Sequence, residues 1–246
     1  MHFLSERRLD EGVLERDFAL GDVPGTLWTP PDATAPVPLI LLGHPGGLDR
    51  MYPRLLARAR HSARRGFAVA TIELPGGGSR PPLPDVDSAR VDLRQAIRAG
   101  QPVSNDVVDR LVLPLVERAV PEWQATIDAL LDLPEIDGPV GFSGGVIAIG
   151  VRLAAVEPRI RAAGLFAGSF VPRSIIEEAR KVTIPLLMLL QWDDEHNDRQ
   201  MALDLFDAFG STEKTLHANM GGHTGVPAFE AEDSGGFFDR HLRGVA

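Results

Sequence analysis

The sequence predicts an α/β protein: a mostly parallel sheet of about eight strands, covered by helices on both faces and opened by an antiparallel hairpin. Three observations carry this. Apolar runs of strand length alternate with stretches whose apolar residues recur at helical spacing. Several runs are apolar throughout, as strands buried on both faces must be; the longest, residues 184–190, is far too short to cross a membrane. With 246 residues, 44% of them hydrophobic, the chain can bury a substantial core as one domain.

The elements follow in order. Residues 13–20 and 25–29 alternate about Gly21-Asp22, the signature of a hairpin. Residues 38–44 form a buried strand, 50–65 a helix and 67–74 the next strand. After residue 121 the expected order is helix 123–133, strand 139–142, helix 146–156, strand 162–167 and helix 174–181. Strand 185–191, helix 197–209, strand 214–218 and a closing helix at 236–242 complete the chain. Residues 79–121 are irregular. They open with Arg80-Pro81-Pro82-Leu83-Pro84-Asp85 and contain Gly100-Gln101-Pro102, Pro114 and Pro121. Proline at that density breaks long helices, so an insertion of loop and short helices over the active-site edge of the sheet is expected. Residues 107–120 are too apolar for a disordered linker.

A net charge of −9 and a pI near 5.3 argue against nucleic acid or an anionic membrane as partner. The chain has no cysteine, which removes disulfides, thiolate metal sites and cysteine nucleophiles together. The first eight residues lack an apolar core of signal-peptide length; with the missing cysteines, this sets the expectation of a cytoplasmic protein.

Chemistry is concentrated at Gly141-Phe142-Ser143-Gly144-Gly145, between a strand-like and a helix-like run. A serine on a sharp strand-to-helix turn projects its hydroxyl from the sheet edge, and small flanking residues permit the bend. Ser143 then needs a base, and the base an orienting acid. Trp192-Asp193-Asp194-Glu195-His196 follows one strand, and Met220-Gly221-Gly222-His223 follows the last. In a parallel sheet both loops fall on the carboxyl edge, with the serine. His223, between flexible residues, is the candidate base; Asp193, Asp194 and Glu195 compete for the acid. Four consecutive side chains from 193 to 196 cannot converge on one ion, so no metal is expected, and no cofactor.

An oxyanion would be held by the Gly144 amide and one from the loop Gly43-His44-Pro45-Gly46-Gly47. Pro45 has no N–H, which leaves Gly46, with Gly47 behind it. His44 reads as a structural histidine. Pro75-Gly76-Gly77-Gly78-Ser79 lacks the ending of a phosphate loop and reads as a tight turn. Phe142, Phe170 and Trp192 are weaker candidates for a substrate pocket.

From about residue 13 to the C-terminus the chain resembles the α/β-hydrolases. His44-Pro45-Gly46-Gly47 is similar to the His-Gly-Gly-Gly loop of esterases and lipases. Residues Glu73 to Ser79 resemble the family's Asp-x-Pro-Gly-x-Gly-x-Ser turn. Gln191-Trp192-Asp193-Asp194 resembles the His-Gly-x-x-Asp element, which implies Asp194 as the acid, and Met220-Gly221-Gly222-His223 the Pro-Gly-Gly-His element. The branch it looks most like is dienelactone-hydrolase-like and acyl-esterase-like. Three departures stand out: serine in place of the cysteine of dienelactone hydrolases, Asn197-Asp198 where relatives often carry Val-Pro, and the small Gly144. The resemblance implies a serine carboxylester hydrolase acting on a small or medium acyl ester, without cofactor. Peptidase, amidase or thioesterase chemistry on the same fold, or a ligand-binding homologue without turnover, are the alternatives.

Overall fold

The computed structural model describes residues 1–31, 35–195 and 197–243. Nine strands among them form one sheet: β1 (His2–Arg8), β2 (Leu14–Leu20), β3 (Val23–Thr29), β4 (Val37–Gly43), β5 (Ala68–Ile72), β6 (Ile136–Gly144), β7 (Ile160–Phe166), β8 (Leu186–Gln191) and β9 (Lys214–Asn219). Their spatial order is β1-β2-β3-β5-β4-β6-β7-β8-β9. β1, β2 and β3 run antiparallel to their neighbours, and β5 through β9 form a parallel sheet around β4. The parallel strands are apolar on both faces because helices cover both.

Seven α-helices accompany them among the described residues: α1 (Leu48–Arg64), α2 (Pro84–Arg98), α3 (Asn105–Leu131), α4 (Ile147–Val156), α5 (Arg173–Ala179), α6 (Arg199–Ala208) and α7 (Phe229–Leu242). One core layer joins the sheet to α3, α4, α5 and α6, through Val116, Trp123, Ile127, Ile147, Ile175 and Leu205. The other joins it to α1 and α7, through Leu55, Ala59, Phe237, Phe238 and Leu242.

Two expectations are corrected. β1 adds a ninth strand at the edge; its seven residues are all exposed, so no apolar alternation marks it in the sequence. The segment from 79 to 121 is not a collection of short helices over the edge. α3 runs unbroken for 27 residues through Pro114 and Pro121, spanning about 40 Å, and lies on the sheet face. Each interior proline costs about 3 kcal/mol. The ten buried residues that α3 contributes, among them Val108, Val112, Val116, Trp123, Ile127 and Leu130, outweigh both at ~1.5–3 kcal/mol for each large side chain. Ser104 caps the start, its Oγ accepting from the Val107 amide at 3.3 Å. α2 packs outside α3 through Leu83, Val86 and Leu115. None of the described helices is long and apolar enough to cross a membrane.

Candidate active site

The loops after β4, β6, β8 and β9 meet at the carboxyl edge, as the parallel topology requires. The candidate acid and the candidate base come together there. His223 Nδ1 lies 2.7 Å from Asp194 Oδ2, so Nδ1 carries the proton and Nε2 is left as the acceptor. Asp194 is 8% exposed, whereas the imidazole is 40% exposed. Asn197, one of the departures, also donates through Nδ2 to Asp194 Oδ2, and Asp198 caps α6 by accepting the Gln200 and Met201 amides. His196 lies outside the described residues.

Asp193 has a different task from its neighbour. Its carboxylate accepts the amides of Gly221 (2.9 Å) and Gly222 (2.9 Å), and the Gly222 amide above all holds it below the usual carboxylate range. Gln191 Nε2 donates to the Gly222 carbonyl at 2.7 Å. At the far end of the same loop, buried Glu230 accepts from Asn219 and bonds His217, joining β9 to α7. The loop carrying His223 is thus tied at both ends. We expect Asp193→Ala to loosen it and lower kcat about ten- to hundredfold with little change in KM, because small displacements of a base cost that much. Unchanged kcat would refute this role.

Ser143 stands apart from the pair. It is 9% exposed, still within β6, and no hydrogen bond joins it to His223 among the described residues. Its register partner is Gly164 on β7. Phe166, two residues further along β7, packs its ring edge-on against the imidazole, with centroids 5.7 Å apart. The left-handed residues that make the sharp turn are Gly144 (φ 80°) and Gly145 (φ 79°), so the bend follows the serine instead of centring on it. A β-carbon at Gly144 would lie 2.9 Å from Arg58 Nη1, and one at Gly145 2.8 Å from the Gly43 α-carbon. Only glycine fits either position.

Arg58, on the inward face of α1, is the partner that sequence reasoning missed. Its Nη2 donates to Ser143 Oγ at 2.8 Å and to the Ser143 carbonyl at 3.1 Å. Burial, and secondarily Arg54, pull its pKa down to about 10. The signal was a charged residue three positions after buried Leu55, on the stripe that continues through Ala59.

The oxyanion candidates are present at the same edge. Gly46 and Gly47 are half-buried, and their amides make no hydrogen bond among the described residues; the same holds for Gly145 and Val146. Gly144 closes β6 opposite Gly43. Glu73, buried just after β5, accepts the Leu48 amide at the start of α1 at 2.9 Å and fixes the loop from 44 to 47. Of the pocket candidates, Phe142 is corrected: it is 1% exposed and packs edge-on against Trp123, with centroids 6.0 Å apart, in the core under α3. Strand alternation sends its ring to the face opposite Ser143. Phe170 is half-buried at the core margin, and Trp192 is exposed beneath the Arg199 guanidinium.

His44 is structural, as read. It is 1% exposed, and Nε2 donates to the Ile72 carbonyl at 2.9 Å. Burial holds its pKa below the ordinary 6.5, against the opposing pull of the Ile72 carbonyl and Glu73. The unfolded chain therefore takes up this proton more readily than the folded one. The stabilisation is complete above 6.5 and declines as pH falls from there toward the lowered folded value. We expect His44→Gln to cost about 1 kcal/mol at neutral pH and to flatten the fall in melting temperature below pH 6.5. Parallel calorimetric profiles for the two proteins would contradict this.

No protein-family model and no curated protein matches the sequence. Solved structures do. A cold-adapted esterase from an Arctic intertidal metagenomic library aligns over 98% of this chain and 100% of its own, with 27% identity and a TM-score of 0.78. The chain has the α/β-hydrolase fold. This α/β-hydrolase also shares its fold with the acetyl xylan esterase from Paenibacillus sp. R4 (15% identity, 98% and 88% of the chains, TM-score 0.65). A third fold relative is the dienelactone hydrolase from Anabaena variabilis ATCC 29413 (18% identity, 97% and 99%, TM-score 0.62). The likeness to esterases supports a hydrolase.

Proposed function

We propose that this α/β-hydrolase cleaves a carboxylic ester with Ser143 as nucleophile, His223 as base and Asp194 as the group that orients it. The observation that carries the reading is the Asp194–His223 pair on the carboxyl edge beside the end of β6, its imidazole 40% exposed. The step begins when Ser143 Oγ leaves Arg58 and rises toward Nε2, with the Gly144 and Gly145 peptides as the pivot. Oγ then attacks the ester carbonyl while Nε2 takes its proton. The tetrahedral oxyanion is met by amides of the Gly46 loop and of the turn after Ser143. Collapse breaks the bond to the alcohol, which leaves with the proton from Nε2. Water activated by the same nitrogen then releases the acid. Asp194 holds the tautomer and balances the imidazolium charge. Exposed Trp192 and half-buried Phe170 flank this edge as candidate contacts for the acyl or alcohol part, on a cytoplasmic small-molecule ester.

A second reading is favoured by the depth of Ser143: His223 would deprotonate a water that attacks the ester directly, with no covalent intermediate. A burst of alcohol release equal to the enzyme concentration, with labelling of Ser143 by a fluorophosphonate, supports the serine route. Steady turnover without burst or label supports the water route.

A further inference from the structure

A guanidinium partly withdrawn from water normally faces a carboxylate or phosphate, since the lost hydration is otherwise costly. Arg58 does not. Among the described residues no carboxylate pairs with it; the charged neighbour that acts on it is Arg54, which repels it. Among the described residues its hydrogen bonds go to two neutral oxygens of Ser143, both through Nη2, and Nε and Nη1 are not among the buried atoms left without a partner. Nη1 lies against the bare α-carbon of Gly144, where any side chain would collide with it. The residue keeps a partial opening to solvent. Its charge also reaches His44, where it disfavours a second cation.

We propose that Arg58 is an anion-binding residue whose intended acceptor is a carboxylate-type oxyanion of a bound ligand, and that Ser143's neutral oxygens stand in for it when the ligand is absent. Arginine's planar donor edge suits a two-oxygen anion, and a charged acceptor makes a stronger bond than a hydroxyl. Gly144 is the space through which that edge meets the ligand. Engagement of the anion would also free Ser143 Oγ, a consequence that rests on the proposed serine route; the anion site itself does not. The oxyanion could come from the acid product, from a carboxylate elsewhere on the substrate, or from free phosphate.

The test is titration of the full chain with sodium acetate, butyrate and inorganic phosphate, against sodium chloride at matched ionic strength. Binding is read by calorimetry and by the shift in melting temperature for wild type, Arg58→Gln, Arg58→Lys and Ser143→Ala. Specific binding is expected in wild type, at least about tenfold weaker in Arg58→Gln, intermediate in Arg58→Lys, and undiminished in Ser143→Ala. A preference for acetate and butyrate points to product or substrate carboxylate, and one for phosphate to the free ion. Equal binding in Arg58→Gln, or no stabilisation beyond chloride in wild type, overturns the proposal. If Arg58→Gln fails to fold, Arg58→Lys decides: binding unchanged from wild type overturns it. Failure of the serine route would appear separately, as ester turnover retained in Ser143→Ala while anion binding persists.

Discussion

Ser143→Ala should lower kcat/KM for short p-nitrophenyl esters on the order of a thousandfold or more, and abolish covalent labelling by fluorophosphonates. The size follows from what the hydroxyl supplies: without it no acyl-enzyme forms, and only background stabilisation by backbone amides and binding is left. The fold should survive. Position 143 is 9% exposed, alanine fits the strand, and Arg58 keeps the Ser143 carbonyl as acceptor at 3.1 Å. Melting temperature and circular dichroism close to wild type would confirm that the loss is chemical. Hydrolysis retained in this variant would remove Ser143 from the mechanism and leave His223 acting on water.

Asp194→Asn should cost about ten-thousandfold in kcat at neutral pH. The carboxylate accepts the Nδ1 proton of His223 at 2.7 Å and is nearly buried, so it sets which imidazole nitrogen is free. A carboxamide can present its NH2 there instead, which drives the proton to Nε2 and removes the base. Asn197 donates to the same oxygen and opposes that flip in part, since an NH2 there would face it donor to donor. Measured together, the two variants separate the mechanisms. Loss in both supports the serine route, loss in Asp194→Asn alone supports the water route, and loss in neither excludes the pair from catalysis.

Much of the architecture was legible because parallel strands buried on both faces leave unmistakable apolar runs; β4, β6, β7 and β8 all fall where such runs occur. The edge strand β1 was not, since a strand wet on both faces carries no alternation. Nor was α3: proline content argues locally against a long helix, while ten buried residues along it argue globally for one, and only packing weighs the two. At the site, His223 was readable from motif order, while motif order left Asp193, Asp194 and Glu195 open and only the family resemblance pointed to Asp194. Topology then brings together loops 29 residues apart in sequence. Arg58 was hidden because a helix residue's partner across the sheet depends on register, which no local pattern records.

The sequence by itself determined which side chains reach the carboxyl edge, because strand order and the loops that follow strands settle that. It also determined that the turn after Ser143 must be glycine-rich. Tertiary structure alone decided that Ser143 is bonded to Arg58 and, among the described residues, not to His223. Both depend on the exact residue at which β6 ends and on how α1 packs over it. The left-handed step falls on Gly144 and Gly145, one residue past the serine, and α1 delivers Arg58 into the gap that Gly144 leaves.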